Sequence, residues 1–208
     1  MNLLVVSATE AEIKPFLQSN NFSDILITGV GIPFSIFHLT NKLAQKKYDL
    51  VIQAGIAGSF NQRFKMASVV MVEQDIFGDI GIDENGEFST LFDLGFANKN
   101  DFPFKEGWLI NENKYFIKSA LPVVKAITVN KIIDNKKQLD LLSAKFNADI
   151  ESMEGAAFHY VCLQQKINFL QLRSISNMVG ERDKIKWKMK ESISNLNMEL
   201  KKLIQNFI

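Results

Sequence analysis

Cysteine occurs once, at Cys162, in a chain of 208 residues. That excludes an intrachain disulfide and any zinc cluster built on several thiolates, and it fits a reducing, cytoplasmic setting. Neither sign of charge is in excess. The 24 Lys and Arg face 23 Asp and Glu, so the chain lacks the electrostatic footprint of a nucleic-acid or acidic-membrane binder. A small ligand or another protein is the expected partner. No apolar run approaches the roughly 20 residues of a membrane helix. The opening MNLLVVSATEAE lacks a basic n-region and reaches an acid by Glu10, unlike a secretory signal. No Pro-, Gly- or Ser-rich linker and no internal repeat divides the chain. With 47% hydrophobic residues, one compact domain over 1–208 is expected, its 17 phenylalanines mostly in the core.

What is present is a rhythm of short apolar runs, at Leu3–Ala8, Ile25–Thr28, Leu50–Ala54, Val69–Val72, Val123–Val129 and Phe169–Ile175. Several are Val/Ile-rich without alternation, as in strands buried on both faces. Between them, Pro33–Lys46 and Lys136–Lys145 carry apolar residues at helical spacing, and the chain from Ile185 onward reads as an amphipathic terminal helix. Strands alternating with helices imply an α/β sandwich on a parallel or mixed sheet, which binds ligands at the strands' carboxyl ends. Residues 78–107, rich in Gly, Asn, Asp and scattered Phe, break the rhythm and read as a long excursion or flap.

Five segments could carry chemistry. ITGVGIPF (27–34) and QAGIAGSF (53–60) each follow a strand, and glycine there lets backbone amides approach a ligand. The bland reading is a pair of tight strand-to-helix turns. The dinucleotide fingerprint fails, because Phe34 stands where its third glycine would be. In SATEAEIKP (7–15), Thr9 and Glu12 fit a capping box, but Pro15 favours a helix starting nearer itself, which leaves Glu12 at the sheet's carboxyl edge. In ESMEGAAF (151–158), Glu154 opens a run of small residues at the first turn of a buried helix. It is either a carboxylate favoured by the helix dipole or one that seeks ligand hydroxyls as donors. His159, further along, reads as a core or surface residue. In FLQLRSISNMVGERDKIKW (169–187), Arg173 inside an apolar strand needs an anionic partner, with Glu151 or Glu12 the structural choices. The cluster Glu181 to Lys184 reads as a solvated loop from which Arg182 could meet an anionic ligand.

Glu12 after the first strand, the GIAG segment at 55–58, MEGAAF at 153–158 and RSISN at 173–177 occur in this order in purine nucleosidases. The chain resembles the nucleoside phosphorylase superfamily, in its hydrolytic branch with the methylthioadenosine/S-adenosylhomocysteine nucleosidases. The resemblance spans nearly the whole chain and weakens through 78–125. It implies a three-layer α/β sandwich with a mixed central sheet flanked by helices, a nucleoside substrate, no cofactor, no metal and a homodimer or higher homo-oligomer. It also implies roles. Glu154 would accept hydrogen bonds from the ribose hydroxyls with Met153 packed on the sugar, Glu12 would polarise the attacking water, and Arg173 would hold that water and the acidic shell. Ala57, Gly58 and Ser176 would line the site, Thr128 and Val129 would meet the purine through their backbone, and Arg182 and Asp183 would lie near the ligand. Asn177 departs from the adenine-specific members, which carry aspartate there. An amide suits a 6-oxopurine, so hypoxanthine is the expected leaving group, with its N7 proton coming from solvent or Asp183. Ile56 at the family's anion-contact position argues for water over phosphate as nucleophile. Apolar parts of the ligand are assigned to phenylalanines of 78–107. The competing readings are an adenine-releasing nucleosidase, a phosphorylase and a catalytically silent nucleoside-binding protein.

Overall fold

The computed structural model describes residues 1–19, 23–113, 115–116 and 120–207. Strands β1 (Leu3–Ser7), β2 (Asp24–Ile27), β3 (Leu50–Ser59), β4 (Val69–Phe77), β5 (Gly81–Glu84), β6 (Glu87–Thr90), β7 (Leu109–Ile110), β8 (Val123–Thr128), β9 (Ile150–Ser152) and β10 (Phe169–Met178) alternate with helices α1 (Glu10–Leu17), α2 (Ile32–Gln45), α3 (Lys136–Phe146), α4 (Gly155–Gln164) and α5 (Met189–Gln205). The mixed α/β character expected from the rhythm is present. β1 is buried along its whole length, as an unalternating Leu/Val run requires.

The sheet, however, is not the open layer of a three-layer sandwich. β3 pairs in parallel with β10, β10 antiparallel with β4, β4 parallel with β8, β8 parallel with β9, and β9 antiparallel with β3, so five strands close into a ring. The cause is the length of β3. Its first half, Leu50–Gln53, pairs with β1, and its end, Gly58–Ser59, pairs with β9, so one strand edge serves two partners in succession. Ala57, Val70, Val72, Val124, Ala126, Ile150 and Ile175, drawn from all five ring strands, form one buried cluster. Residues of opposite strands touch in this way only when they face inward.

Helices cover the outside. α1 and α5 pack Ile13, Phe16, Leu196 and Leu200 on one face of β1, β3 and β10. α2 and α4 pack Leu39, Leu43, Phe158 and Val161 on the other, and Leu142 and Phe146 of α3 cover Ile76 and Ile127.

Several boundaries differ from the sequence reading for physical reasons. The QAGIAGSF segment is not a turn: strand pairing with β10 from Val51 to Ser59 carries β3 straight through both glycines. α1 starts at Glu10 rather than near Pro15, and Pro15 is accommodated by a break at Ile13 (φ −118°, ψ 15°), because proline clashes with the preceding turn and removes a donor. α5 starts at Met189; residues Lys184–Lys186 form a separate 3₁₀ turn capped by the Asp183 side chain. The 78–107 excursion contains the β5–β6 hairpin, turned at Asn85-Gly86 with positive φ at both, the type I′ signature.

Gly155 opens α4 where no side chain fits: a Cβ would fall within the van der Waals shells of Asp75 Oδ2 and Gln171 Nε2. Gly155→Ala should lower stability by about 1–3 kcal/mol, read as a fall in melting temperature of several degrees; an unchanged melt would refute this packing.

Candidate functional site at the carboxyl ends of β1, β3, β9 and β10

A cavity of about 330 Å³ opens where β1, β3, β9 and β10 end, a volume in the range of small-molecule sites. Of the residues singled out from sequence, Glu12, Ala57, Gly58, Met153, Glu154, Ser176, Asn177 and Arg182 line it. Arg173 lies directly behind Glu12 and Glu154.

Glu12 reconciles the two readings of its segment. Its Oε2 accepts hydrogen bonds from the Thr9 N–H at 3.0 Å, Thr9 Oγ1 at 2.9 Å and Ser7 Oγ at 3.3 Å, which is its half of the capping box. Its Oε1 accepts from the Ile56 N–H at 3.0 Å. One side chain therefore closes the helix start, ties β1's end to β3 and still faces the cavity.

Glu154 is the N-cap residue of α4 rather than part of its first turn. It is 4% exposed. The Gly31 N–H donates to its Oε1 at 3.0 Å, and Arg173 Nη1 stands 3.7 Å from its Oε2. Burial pushes the Glu154 carboxyl above its usual range, against the opposing pull of the Arg173 guanidinium and the Gly31 N–H. Arg173 itself is 1% exposed. It donates from Nη2 to Gln53 Oε1 at 2.8 Å and from Nη1 to the Ile56 carbonyl at 3.5 Å. Its carboxylate partner is thus Glu154, not Glu151 or Glu12. Gly55 makes room for it, since a Cβ there would collide with Nη1 and lie 2.9 Å from Glu12 Oε1.

Ser176 is the extra residue of a bulge: Ile175 pairs with Ala57 and Asn177 with Gly58. The bulge re-aims the strand end, so that Ser176 and Asn177 both reach the cavity. Ser176 Oγ donates to Asn177 Oδ1 at 2.7 Å, and Asn177 Nδ2 donates to the Met178 carbonyl at 2.9 Å. Each amide atom keeps one further bonding position for a ligand.

Three expected residues are not brought to the cavity. The Thr128 carbonyl accepts from Gly78, the Val129 N–H donates to the Ser152 carbonyl, and both residues are fully buried. The Thr128 carbonyl and the Val129 N–H are thus taken by neighbouring segments, and neither residue lines the cavity. Asp183 is exposed and spends Oδ1 on the Ile185 N–H. The phenylalanines of 78–107 are also elsewhere: Phe88 packs on Phe146, Phe92 on Phe104 and Phe104 on Tyr160. His159 is buried and donates from Nδ1 to the Leu109 carbonyl, 2.9 Å away; burial pushes its pKa down to about 4, leaving it neutral.

Sequence reasoning missed part of the lining. Trp187, Met189 and Ile193, with Val30 and Ile132, supply an apolar wall; which face of the terminal helix meets the strand ends leaves no local signal. Glu151 also lines the cavity. Among the described residues no group of three or more His, Cys, Asp and Glu could hold a metal ion, and no helix is long and apolar enough to cross a membrane.

Two buried acids and a carboxamide thus line one cavity, with a buried cation behind the acids. The phosphorylase superfamily model matches residues 24–208, and the chain belongs to that family. At the level of individual relatives, it is similar to a futalosine hydrolase of Thermus thermophilus, 28% identical over 97% of this chain and 94% of the relative. The fold matches a Helicobacter pylori methylthioadenosine/S-adenosylhomocysteine nucleosidase (TM-score 0.83, 16% identity, 99% of this chain and 98% of that one). It matches a futalosine hydrolase of the same species as well (TM-score 0.82, 16% identity, the same coverage).

Removing one member of a buried pair leaves an uncompensated charge, at about 3–5 kcal/mol. Arg173→Met should cost that much in chemical denaturation, and adding Glu154→Leu should recover part of it; no recovery would refute the pairing. A second prediction concerns Asp75, wholly buried and bonded to Thr128 Oγ1 at 2.8 Å. Burial raises its pKa from 3.8 to about 7, so the folded state holds more protons than the unfolded one between those values and stability falls as pH rises through that window. The melting temperature of Asp75→Asn should therefore decline less than the wild type's between pH 5 and pH 8, and parallel declines would contradict the assignment.

Proposed function

We propose that this chain hydrolyses the N-glycosidic bond of futalosine, releasing hypoxanthine and dehypoxanthine futalosine, a step of menaquinone biosynthesis. The observation that carries the reading is that Glu12, Glu154 and Asn177 line one cavity, with Arg173 paired to Glu154 behind it. The name of the Thermus thermophilus relative supports it.

Breaking a glycosidic bond to a purine builds positive charge on the sugar and negative charge on the base. Glu154, capped by a backbone N–H on one oxygen, accepts the ribose hydroxyls and places its charge under the developing cation, with Met153 against the sugar. Glu12 polarises water on the opposite side, held in place by four donors. Asn177 presents its NH2 to O6 and its carbonyl to a protonated N7 of a 6-oxopurine. Trp187, Met189 and Ile193 form the apolar wall for the carboxyphenyl tail, and Arg182 meets its carboxylate; these replace the phenylalanines of 78–107, which pack elsewhere. Water is the nucleophile because the groups a phosphate would use are already engaged. The Ile56 N–H is given to Glu12, and Arg173 is bonded to Gln53 and paired with Glu154.

The reading includes a homodimer in the cytoplasm. Val30, Phe34 and Phe37, 47%, 56% and 62% exposed at the start of α2, are apolar surface beside the cavity mouth of the kind an interface covers. Light scattering at micromolar concentration tests the dimer.

The deciding assay incubates the purified protein with futalosine in phosphate-free buffer. Free hypoxanthine is expected, and Glu12→Gln or Glu154→Gln should lower kcat by about 10²–10³. Ribose 1-phosphate formation, or dependence on added phosphate, would establish a phosphorylase instead. Asn177→Asp should move preference toward adenine release by up to about 10⁴. Preferential adenine release by the wild type would overturn the assignment of the base.

A further inference from the structure

Glu12 ends a helical piece too short to hold itself in place. The break at Ile13 (φ −118°, ψ 15°) leaves residues 10–12 of α1 as less than one turn, and so short a piece has little rigidity of its own. In an unbroken α-helix the Phe16 N–H would bond the Glu12 carbonyl. Here one side chain from the far end of the chain meets both groups. Asn197 of α5 accepts at Oδ1 from the Phe16 N–H at 2.9 Å and donates from Nδ2 to the Glu12 carbonyl at 2.8 Å. Its carboxamide bridges the break with the donor and acceptor of a peptide unit.

The same amide reaches the cavity wall. Nδ2 donates a second bond to the Ile193 carbonyl at 2.6 Å, one turn nearer the start of α5, where Met189 and Ile193 line the cavity. Asn197 thus joins the acid to the helix that carries the apolar wall. Packing alone would favour an apolar residue at this position. Asn197 is 2% exposed, its neighbours Leu196 and Leu200 pack against Ile13 and Phe16, and asparagine is a poor helix former.

We propose that Asn197 is a positioning residue for Glu12, a role that rests on the nucleosidase reading above. The two Thr9 donors lie at the same end of α1 and move with Glu12. Ser7 and the Ile56 N–H fasten the carboxylate to the sheet, and Asn197 fastens the backbone of the same residue to α5. With both ends fixed, the side chain has one place to stand. Glu12 acts on the water while other groups bind the ribose and the base, so displacing it lowers kcat and leaves KM nearly unchanged. A general loosening of α5 behaves differently, because Met189 and Ile193 would move with the helix and KM would rise.

The test measures kcat and KM for hypoxanthine release from futalosine by Asn197→Ala, with Ser192→Ala as the control. Ser192 is also buried on α5, but its Oγ donates to the Ile175 carbonyl of β10 at 2.8 Å rather than to α1. N197A should lower kcat by about 10–10² with KM within about threefold of wild type, and S192A should leave both within about threefold. In the Glu12→Gln background, N197A should cost less than about twofold more, because the carboxylate it positions is gone. A kcat loss no greater than that of S192A, a KM that rises as kcat falls, or full additivity with Glu12→Gln would each overturn the role. If N197A does not fold, Asn197→Ser, which keeps a polar group at the break, is measured in the same way and judged by the same outcomes. Wild-type hypoxanthine release separates the two levels of the argument: without it the nucleosidase reading falls as well, whereas release with an unaltered N197A sinks only the role of Asn197.

Discussion

The site depends on one guanidinium that has been taken out of water. Arg173 is the largest fully buried side chain of the protein's described residues, and an isolated buried cation would cost several kcal/mol. The cost is offset only if surrounding groups converge on it, and they do so from three directions: Gln53 and Ile56 from β3 and Glu154 from the start of α4. Because these groups belong to separate elements, satisfying Arg173 fixes where β10, β3 and α4 meet. The same convergence sets Glu154 at the cavity wall with its Oε1 on Gly31 and leaves Glu12 beside it on Ile56. A charge held for structural reasons thus arranges the acids that face the ligand.

Strand geometry does the rest. β3 is long enough to leave β1 and join β9, which closes the ring and brings the end of β9 next to the end of β10. Without that closure, Glu151 and Asn177 would not share a face across Gly58. The bulge at Ser176 adds the half-register shift that turns Asn177 toward the same opening. Below the cavity, Asp75, Thr128 and Gln171 form a buried polar support: Thr128 Oγ1 donates to Asp75 and accepts the Ala156 N–H at 2.7 Å, so the first turn of α4, and with it Glu154, is tied to the ring. Thr128 supports the site through this tie.

The parts of this organisation that were legible in sequence are those with a local physical cause. Apolar runs without alternation marked β1, β4 and β10 because both of their faces are covered. Helical spacing marked α2 and α3, and an arginine inside an apolar strand announced a buried charge before any partner was known. The roles expected of Glu12 and Glu154 came from the resemblance to purine nucleosidases, since their local sequence also fits a capping box and a helix-dipole carboxylate. By contrast, the passage of β3 through two glycines, the identity of Arg173's partner, the exclusion of Thr128, Val129 and Asp183 from the cavity and the inclusion of Trp187 and Glu151 had no local signature.

The amino-acid sequence by itself determined the mixed α/β class, the elements and the set of acids, amide and cation available for chemistry, because period, propensity and charge act over a few residues. Only the tertiary structure decided that the sheet closes, which carboxylate meets the guanidinium and which residues line the cavity. Those outcomes are set by pairing between residues far apart in the chain, such as Gly58 with Glu151 and Arg173 with Glu154, where the competition for buried hydrogen-bond partners is resolved only once all the strands are in place.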